Sequence, residues 1–225
     1  MTVQPFIDET FHAEQVRPEL MDLLWAQGWR HFGVNFFRYN LMESQGDIQS
    51  IAPLRIRLDA FDLTKSQRRV LRKNADVVTE VLPATLHPEV CAMFERHKQR
   101  FADNVPTSLE TFLGSTPESG PCQCLELRCR INGELAAVSF FDVGLESISS
   151  VYALFEPTYS ARSLGIFTML FEVLWAMTHG KRFAYPGYAT HGSSRYDYKK
   201  QFRSLETYDW ATRTWSAWSE VASNS

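Results

Sequence analysis

The sequence predicts an α/β fold, in which a mixed, mainly antiparallel sheet is flanked by helices and a small α+β region lies at the N-terminus. Three consecutive runs of strand-like alternation, over 125–131, 134–143 and 147–155, predict an antiparallel meander. Asn132-Gly133 joins the first two runs and is a strong signal for a tight hairpin turn. A long segment of helical periodicity follows, and shorter strand-like and helix-like segments alternate after it. A meander followed by alternating elements is the pattern of a mixed sheet.

Residues 1–85 are predicted to form the N-terminal region and residues 86–225 a larger C-terminal domain, although 225 residues also suffice for one compact unit. Apolar residues recur at helical spacing from Pro18 to Gln27, and Gly28 provides a stop signal. This part of the chain therefore predicts a helix at the entrance to the fold.

The rest of the N-terminal region alternates strands with polar segments. Strands are predicted over 33–38, 53–58 and 77–82, and the polar segment MESQGDIQS between the first two is interpreted as a linker loop. Asp62 or Thr64 can cap a helix that begins at Lys65.

The larger domain begins with a helix and surrounds the meander with further elements. Pro88 opens a helix that runs to about Phe101, and the long helix begins near Arg162 and ends at Gly180, a plausible C-cap. A short strand over 182–185, a helix over 195–202 and a final β run over 206–218 complete the prediction.

The charge distribution matters more than the formal net charge of −3, because nucleic-acid binding depends on local positive patches. The helix from Lys65 places several basic side chains on one solvent face, which gives a basic ridge. Such a ridge can contact tRNA phosphates, can clamp an acidic acceptor, or can be an ordinary solvated face. The ridge residues are Lys65, Arg68, Arg69, Arg72 and Lys73. A second basic group comprises Arg195, Lys199, Lys200 and Arg203.

The four cysteines predict reduced thiols and no metal site. Cys122, Cys124 and Cys129 fall in one strand-like run rather than at spaced disulfide positions, and Cys91 stands apart. A Cys-x-Cys pair needs further ligands for tetrahedral zinc, and no His or Cys lies at suitable spacing nearby. The chain also has no apolar run of membrane-spanning length and no signal-peptide pattern, so the prediction is a cytoplasmic protein without a membrane partner.

The order of elements is that of GNAT-like (N-acetyltransferase-like) acyl-transfer folds. In those folds an Arg-x-x-Gly turn lets amides at a helix N-terminus hold a pyrophosphate. This chain keeps Arg162 and Gly165 but has Phe167 where a small residue is wanted. We expect the Phe side chain to crowd a diphosphate, which disfavours acetyl-CoA as a substrate.

Six segments, in the same order along the chain, resemble the arginyl/leucyl-tRNA-protein transferase family. They are PELMDLLWAQGWRHFG (18–33), LTKSQRRVLRKN (63–74), SSVYALFEP (149–157), ARSLGIF (161–167), PGY (186–188) and RYDYKKQFRSLE (195–206). The resemblance implies a GNAT-like aminoacyltransferase that moves arginine or leucine from charged tRNA to the N-terminal amine of acidic-ended proteins, marking them for degradation. Aminoacyl-tRNA is then the co-substrate, and no other cofactor is implied.

Two departures from the family pattern limit what can be carried over. Family members often have a cysteine cluster just before the segment that corresponds to 52–55, and this chain has MESQGDIQS there, so an iron-sulfur or zinc site of that cluster is not carried over. Ser204 replaces the proline of the closing motif. Because of the first departure, the sequence leaves two kinds of acceptor possible: the N-terminus of a protein, or a small molecule or peptide.

An activated ester needs an aligned acceptor amine, removal of its proton and stabilisation of the oxyanion, so positioning provides most of the catalysis. Asp142, at the end of the second meander strand, is expected to face the crevice, with a turn residue as the alternative. Ser150 and Tyr152 lie on the next strand and share a face by the period-two rule. These three are the predicted catalytic residues, and the alternative for the Tyr hydroxyl is an ordinary buried hydrogen bond.

The remaining candidates bind substrates. Arg162 and Gly165 at the helix start are expected to meet the tRNA 3′ end, together with the ridge. Tyr188 follows a glycine that permits close approach, and Arg195 and Lys199, one helical turn apart, are expected to bind the acceptor. Ordinary surface pairing is the alternative for the two cations. A non-catalytic tRNA-binding adaptor is a further alternative, and the sequence predicts neither the transferred amino acid nor the oligomeric state.

Overall fold

The structure, a computed structural model, describes residues 5–44, 46–101, 105–192, 194 and 197–219. The strands of this part of the chain are β1 Asp8–His12, β2 Arg30–Phe32, β3 Asn35–Tyr39, β4 Leu41–Ser44, β5 Asp47–Arg57, β6 Val78–Pro83, β7 Gln123–Ile131, β8 Glu134–Val143, β9 Ser147–Phe155, β10 Phe183–Thr190, β11 Leu205–Asp209 and β12 Thr214–Ala217. The helices are α1 Pro18–Ala26, α2 Lys65–Lys73, α3 Pro88–Lys98, α4 Glu110–Leu113 and α5 Leu164–Thr178.

Two sheets organise the described residues. A small antiparallel sheet has the order β1-β3-β2, and a nine-stranded sheet has the order β12-β11-β5-β10-β9-β8-β7-β6, with β4 attached to β5. All pairs of the large sheet are antiparallel except β9 with β10. The predicted mixed, mainly antiparallel sheet is therefore confirmed. Strands from both sides of residue 85 share this sheet, since β5 and β6 precede that residue.

The meander β7-β8-β9 is confirmed strand by strand. Asn132 has a φ of 52° and Gly133 a φ of 85°, the left-handed pair that a two-residue type I′ hairpin requires. Helix α2 begins as predicted, because the Thr64 side chain accepts from the Gln67 amide while the Gln67 side chain accepts from the Thr64 amide.

Several predicted elements differ from the structure. The final β run over 206–218 is two strands, β11 and β12, joined by a turn. The segment MESQGDIQS is not a linker: β4 and β5 pair through it as a hairpin, and its polarity reflects the exposure of that hairpin rather than a lack of structure. The predicted strand over 33–38 begins only at Asn35, because Gly33, with a φ of 52°, belongs to the turn between β2 and β3. The predicted helix over 195–202 is a 3-10 turn over Asp197–Gln201, and Arg195 lies outside the described residues.

Helices cover both faces of the large sheet. The apolar helix α5 packs on one face in the main core, and α3 packs on the other face in a second core around Phe94 and Phe140. None of the described helices is both long enough and apolar enough to span a bilayer.

The parallel pair β9/β10 is short and determines where the sheet opens. Its register runs only from Ser147 to Ser149 on β9 and from Phe183 to Tyr185 on β10. Beyond that point β10 has a bulge before Gly187 and continues beside β5. The two strands therefore part at Ser149 and Tyr185, and a cavity lies between the residues that follow.

Candidate active site

A cavity of about 500 Å³ opens where β9 and β10 diverge. Site volumes of roughly 300 to 1,000 Å³ are usual for small-molecule ligands, so this cavity has the size of a small-molecule site. Residues 150–153 of β9 and 186–188 of β10 form its two sides, and the first turn of α5 forms its rim. Five predicted site residues line it: Ser150, Tyr152, Gly165, Tyr188 and Lys199.

A bulge separates Ser150 from Tyr152. On β8, Phe140 is paired with Tyr152 and Phe141 with Ser150, so Val151 is the extra residue on β9. The Ser150 hydroxyl donates to Glu172 on α5, whereas the Tyr152 ring stacks on Phe112 on the α3 side, with centroids 4.1 Å apart. The prediction that these side chains share a face is wrong, because the extra residue cancels the strand alternation.

Arg30 of β2 occupies the point of divergence. Its guanidinium donates to the Ser150 carbonyl and the Ser149 hydroxyl on β9, and lies 3.4 Å from the Tyr185 carbonyl oxygen on β10. These carbonyls stand where the ladder between the two strands ends, so the guanidinium supplies the donors that strand pairing no longer provides. Arg30 also lines the cavity, which places a fixed positive charge on its wall.

Glu172 and Lys199 complete a charge cluster with Arg30. Burial raises the pKa of the Glu172 carboxyl to about 7, against the opposing effects of hydrogen bonds from Ser150 and Ser139 and of the charges of Lys199 and Arg30. Burial, assisted by repulsion from Arg30, lowers the pKa of the Lys199 ammonium to about 7, while Glu172 acts in the opposite direction. Both groups can therefore exchange protons near neutrality.

Gly187 makes this approach possible. Its φ is +98°, a left-handed conformation, and a Cβ at this position would lie 3.3 Å from Lys199 Nζ and 3.8 Å from Arg30 Nη2. A side chain here would therefore be strained and would crowd the cluster. The expected close approach at the glycine before Tyr188 is confirmed, and the Tyr188 hydroxyl donates to the Gly28 carbonyl.

Aromatic and apolar side chains form much of the remaining cavity wall. They come from the small sheet, from the end of α3 and β9, and from α5. Among them are Phe32, Phe37, Phe101, Phe155, Ile166 and Met169. The cavity thus combines an apolar wall with a compact set of charges.

The basic ridge lies beside the rim of the cavity. Its five side chains are exposed, and the Lys73 ammonium donates to the Ala161 carbonyl. The Asn74 amide donates to the Arg162 carbonyl at 2.9 Å, and Arg162 forms a two-pronged ion pair with Asp76, at 2.7 and 2.8 Å. The end of α2 is therefore fixed against the start of α5, and the ridge leads to the helix N-terminus that borders the cavity.

Two predictions about this region are wrong. Asp142 does not face the cavity: its side chain is buried, and its Oδ2 lies 2.9 Å from His31 Nε2. Its cross-strand partner is Ser149, the last residue of the parallel pair, so Asp142 stands behind the point of divergence. Phe167 does not crowd the helix start, because its side chain is buried in the main core among the residues under α5.

The sequence analysis missed Arg30 and Glu172. Arg30 lies in the family-like segment 18–33 but had no predicted role, because its partners are more than 100 residues away in the sequence. Glu172 had a local signal, since it is the one acidic residue in the apolar helix Leu164–Thr178. A carboxyl group on the buried side of such a helix is costly unless it is paired, which favours a functional role.

Comparisons with known proteins agree on one family. The sequence profile of a family described as arginine-tRNA-protein transferase, C terminus, matches residues 89–209. Over 167 residues the chain is 34% identical to an aspartate/glutamate leucyltransferase of Xanthomonas oryzae pv. oryzae, and the match covers 70% of this chain and 66% of that protein. A leucyltransferase of the same name from Xanthomonas axonopodis pv. citri is 33% identical over 171 residues, which cover 72% of this chain and 67% of the relative. The chain thus spans about two thirds of the length of these relatives, and slightly less for the first.

A solved structure shares the fold at low sequence identity. It is the C-terminal domain of a protein of Agrobacterium fabrum described as a lysylphosphatidylglycerol synthetase, with a TM-score of 0.50 and 17% identity. The match covers 84% of this chain and 60% of that chain. With the order of elements described above, it supports the GNAT-like fold.

Proposed function

We propose that this chain, which belongs to the arginyl/leucyl-tRNA-protein transferase family, transfers leucine from charged tRNA to proteins. The proposed acceptor is the α-amino group of a protein whose first residue is Asp or Glu. The profile match and the two leucyltransferase relatives establish the family. The observation that carries the proposal is the charge cluster of Arg30, Glu172 and Lys199 inside an apolar cavity beside the basic ridge.

Leucine is favoured over arginine by the character of the cavity wall. A leucyl side chain can be buried against the aromatic and aliphatic residues that line it, and burial of such a side chain contributes about 1.5 to 3 kcal/mol. An arginyl side chain would bring a second guanidinium close to Arg30, which already carries a fixed positive charge there.

The tRNA is proposed to reach the cavity along the basic ridge. Exposed Arg and Lys side chains bind phosphates without reading sequence, and the N-terminus of α5 adds backbone amides and a favourable dipole at the rim. Arg162 contributes by holding the start of α5 against α2 through Asp76, rather than by a free guanidinium. Aminoacyl-tRNA is the proposed partner and co-substrate, and the cytosol the proposed compartment.

In the proposed reaction the acceptor nitrogen attacks the ester carbonyl carbon, an amide bond forms, and the bond to the ribose oxygen breaks. The acceptor ammonium first loses one proton to solvent. Glu172 then accepts the proton that the neutral amine loses as it attacks and returns it to the leaving ribose oxygen, so the transfer from the neutral amine neither gains nor loses a proton. The Ser150 hydroxyl, which donates to Glu172 and lines the cavity, positions this carboxylate. The ester is already activated, so the step needs no cofactor.

Lys199 is proposed to recognise the acidic side chain of the acceptor. Its pKa of about 7 reflects burial and the neighbouring Arg30. A carboxylate that binds beside it favours the charged form and raises that pKa. Tyr188 and Tyr152 shape the walls on either side of this position.

The test offers each charged tRNA to peptides that differ only in their first residue. We expect labelled leucine to move from leucyl-tRNA to peptides beginning with Asp or Glu, with little transfer to a peptide beginning with Ala and none from arginyl-tRNA. Transfer to small amines but not to the acidic peptides would assign a small-molecule acceptor instead. Binding of tRNA with an intact ester would assign a non-catalytic adaptor.

A further inference from the structure

A second cluster of reactive side chains lies behind the cavity and takes no part in the proposed transfer. It joins His31 of β2, Cys122 just before β7 and Asp142 near the end of β8. One ligand atom of each residue lies within 4.8 Å of the other two. His31 Nε2 lies 2.9 Å from Asp142 Oδ2 and 3.7 Å from Cys122 Sγ.

The hydrogen bonds of His31 determine which of its ring nitrogens is available to bind a metal ion. Nδ1 lies 2.8 Å from the Gly33 carbonyl oxygen, which can only accept, so Nδ1 carries a hydrogen. In a neutral ring Nε2 then presents a lone pair to a carboxylate oxygen 2.9 Å away. Two acceptors at this distance need a proton or a cation between them. A histidine that donates through one nitrogen to a backbone carbonyl and offers the other is the usual arrangement of a metal ligand.

Cys124 lies next to this cluster, outside the three residues whose ligand atoms are within 4.8 Å of one another. It follows Cys122 by two residues, and it is the cross-strand partner of Asp142 in the β7/β8 register. This register position makes the Cys124 thiol the fourth donor of the proposed set. Nitrogen, carboxylate oxygen and thiolate sulfur are the three donor types of zinc sites in proteins, which are usually four-coordinate.

We propose that His31, Cys122, Cys124 and Asp142 bind one zinc ion. The sequence analysis predicted no metal, because no His lies near the Cys-x-Cys pair in the sequence; the fold brings His31 to it from 91 residues away. His31 and Asp142 are 7% and 2% exposed, so the ion would be enclosed, as in structural rather than catalytic zinc sites.

The site would fasten the small sheet to the large one next to the cavity. His31 follows Arg30, and Asp142 is paired with Ser149, which accepts from Arg30. A zinc ion at this place would fix β2 against the ends of β7 and β8, and so hold the guanidinium at the point where β9 and β10 part. This inference does not depend on which reaction the cavity performs.

The test measures metal uptake by the wild-type chain and by cysteine variants. Protein purified under reducing conditions, stripped with a chelator and titrated with zinc should retain one equivalent after desalting. Titration with cobalt should give the visible bands of a tetrahedral ion and a thiolate charge-transfer band in the near ultraviolet. Cys122→Ser should lose the retained zinc and most of that band. Cys91→Ser, at a half-buried position on α3, should behave like the wild type.

If the Cys122→Ser variant does not fold, the metal content of the wild-type chain alone tests the proposed zinc site. A wild-type chain that retains no zinc and gives no thiolate band with cobalt would overturn the proposal and leave a buried contact between His31 and Asp142. Retention that persists in Cys122→Ser, or an octahedral cobalt spectrum without thiolate bands, would also overturn it, because the ion would then be bound elsewhere.

Discussion

The basic ridge of α2 and the charge cluster of the cavity carry similar side chains in opposite surroundings. The ridge residues are exposed, and Arg68 has an exposed partner, Asp62, at 3.6 Å. In the cluster, burial is the largest influence on the pKa of Glu172 and of Lys199, and moves each to about 7. Exposed charges act additively and are screened by salt, whereas buried charges depend on geometry and resist screening. In the proposed function the ridge therefore provides affinity for tRNA, and the cluster provides the chemistry.

The largest effect is expected from Glu172→Gln. The amide retains the shape and can still contact Ser150, but it accepts no proton from the acceptor. Loss of a general base usually costs about 10²- to 10⁴-fold in rate. Single-turnover transfer to an Asp peptide should fall by that factor, while the Kd for leucyl-tRNA stays within about twofold.

The matched control for this variant is Glu95→Gln, an exposed residue of α3. It should leave both quantities unchanged. A Glu172→Gln enzyme with the wild-type rate would remove the carboxylate from the proposed proton transfer.

Lys199→Met is expected to reduce the preference for acidic acceptors by roughly ten- to a hundredfold, because a charged hydrogen bond contributes about 1.5 to 3 kcal/mol. The measurement is the ratio of kcat/KM for peptides that begin with Asp and with Ala. Lys200→Met is the neighbouring control, since Lys200 pairs with Asp197 and does not line the cavity. An unchanged ratio in Lys199→Met would assign acceptor recognition to another residue.

The same ratio should depend on pH. Lys199 has its pKa lowered to about 7, so its charged form is present below this value and is lost as the pH rises through it. Arg30 and Glu172 are the charged groups that face it. Taking the ratio cancels the ionisation of the acceptor amine and of Glu172. The preference for Asp should therefore decline above about pH 7, and Lys199→Met should abolish that decline. A preference that rises with pH would contradict the assignment.

The smallest effect on the reaction is expected from Arg68→Ala combined with Arg69→Ala. Removal of two phosphate contacts should weaken tRNA binding roughly tenfold at moderate salt and reduce the slope of log K against log salt by about 1.4 to 1.8. The rate at saturating tRNA should stay at the wild-type value. Arg57→Ala with Arg182→Ala removes the same charge from other exposed positions and should leave the slope unchanged.

The comparison also shows what the sequence can and cannot predict. The ridge was predictable because helix periodicity and the capping residue Thr64 are local. The meander was predictable for the same reason, with its Asn132-Gly133 turn. The charge cluster was not predictable, because Arg30, Glu172 and Lys199 come from three separate elements. In addition, the bulge at Val151 places Ser150 and Tyr152 on opposite faces, whereas simple alternation assigns them to one face.

Asp142 shows the limit most clearly. Its position at the end of a meander strand was identified correctly, but the side on which its carboxylate lies depends on His31, which is 111 residues earlier in the chain. Periodicity along one strand carries no information about which distant side chain is packed against it. The residue most favoured as catalytic from the sequence thus belongs to the second cluster instead.

The most direct test of the division between affinity and chemistry is a single-turnover measurement at saturating leucyl-tRNA, made in parallel on the wild type, Glu172→Gln and Arg68→Ala with Arg69→Ala. We expect a wild-type rate for the ridge variant once tRNA saturates it, and a rate about 10²- to 10⁴-fold lower for the cluster variant at any tRNA concentration. A ridge variant that stays slow at saturation, or a cluster variant that excess tRNA restores, would contradict it.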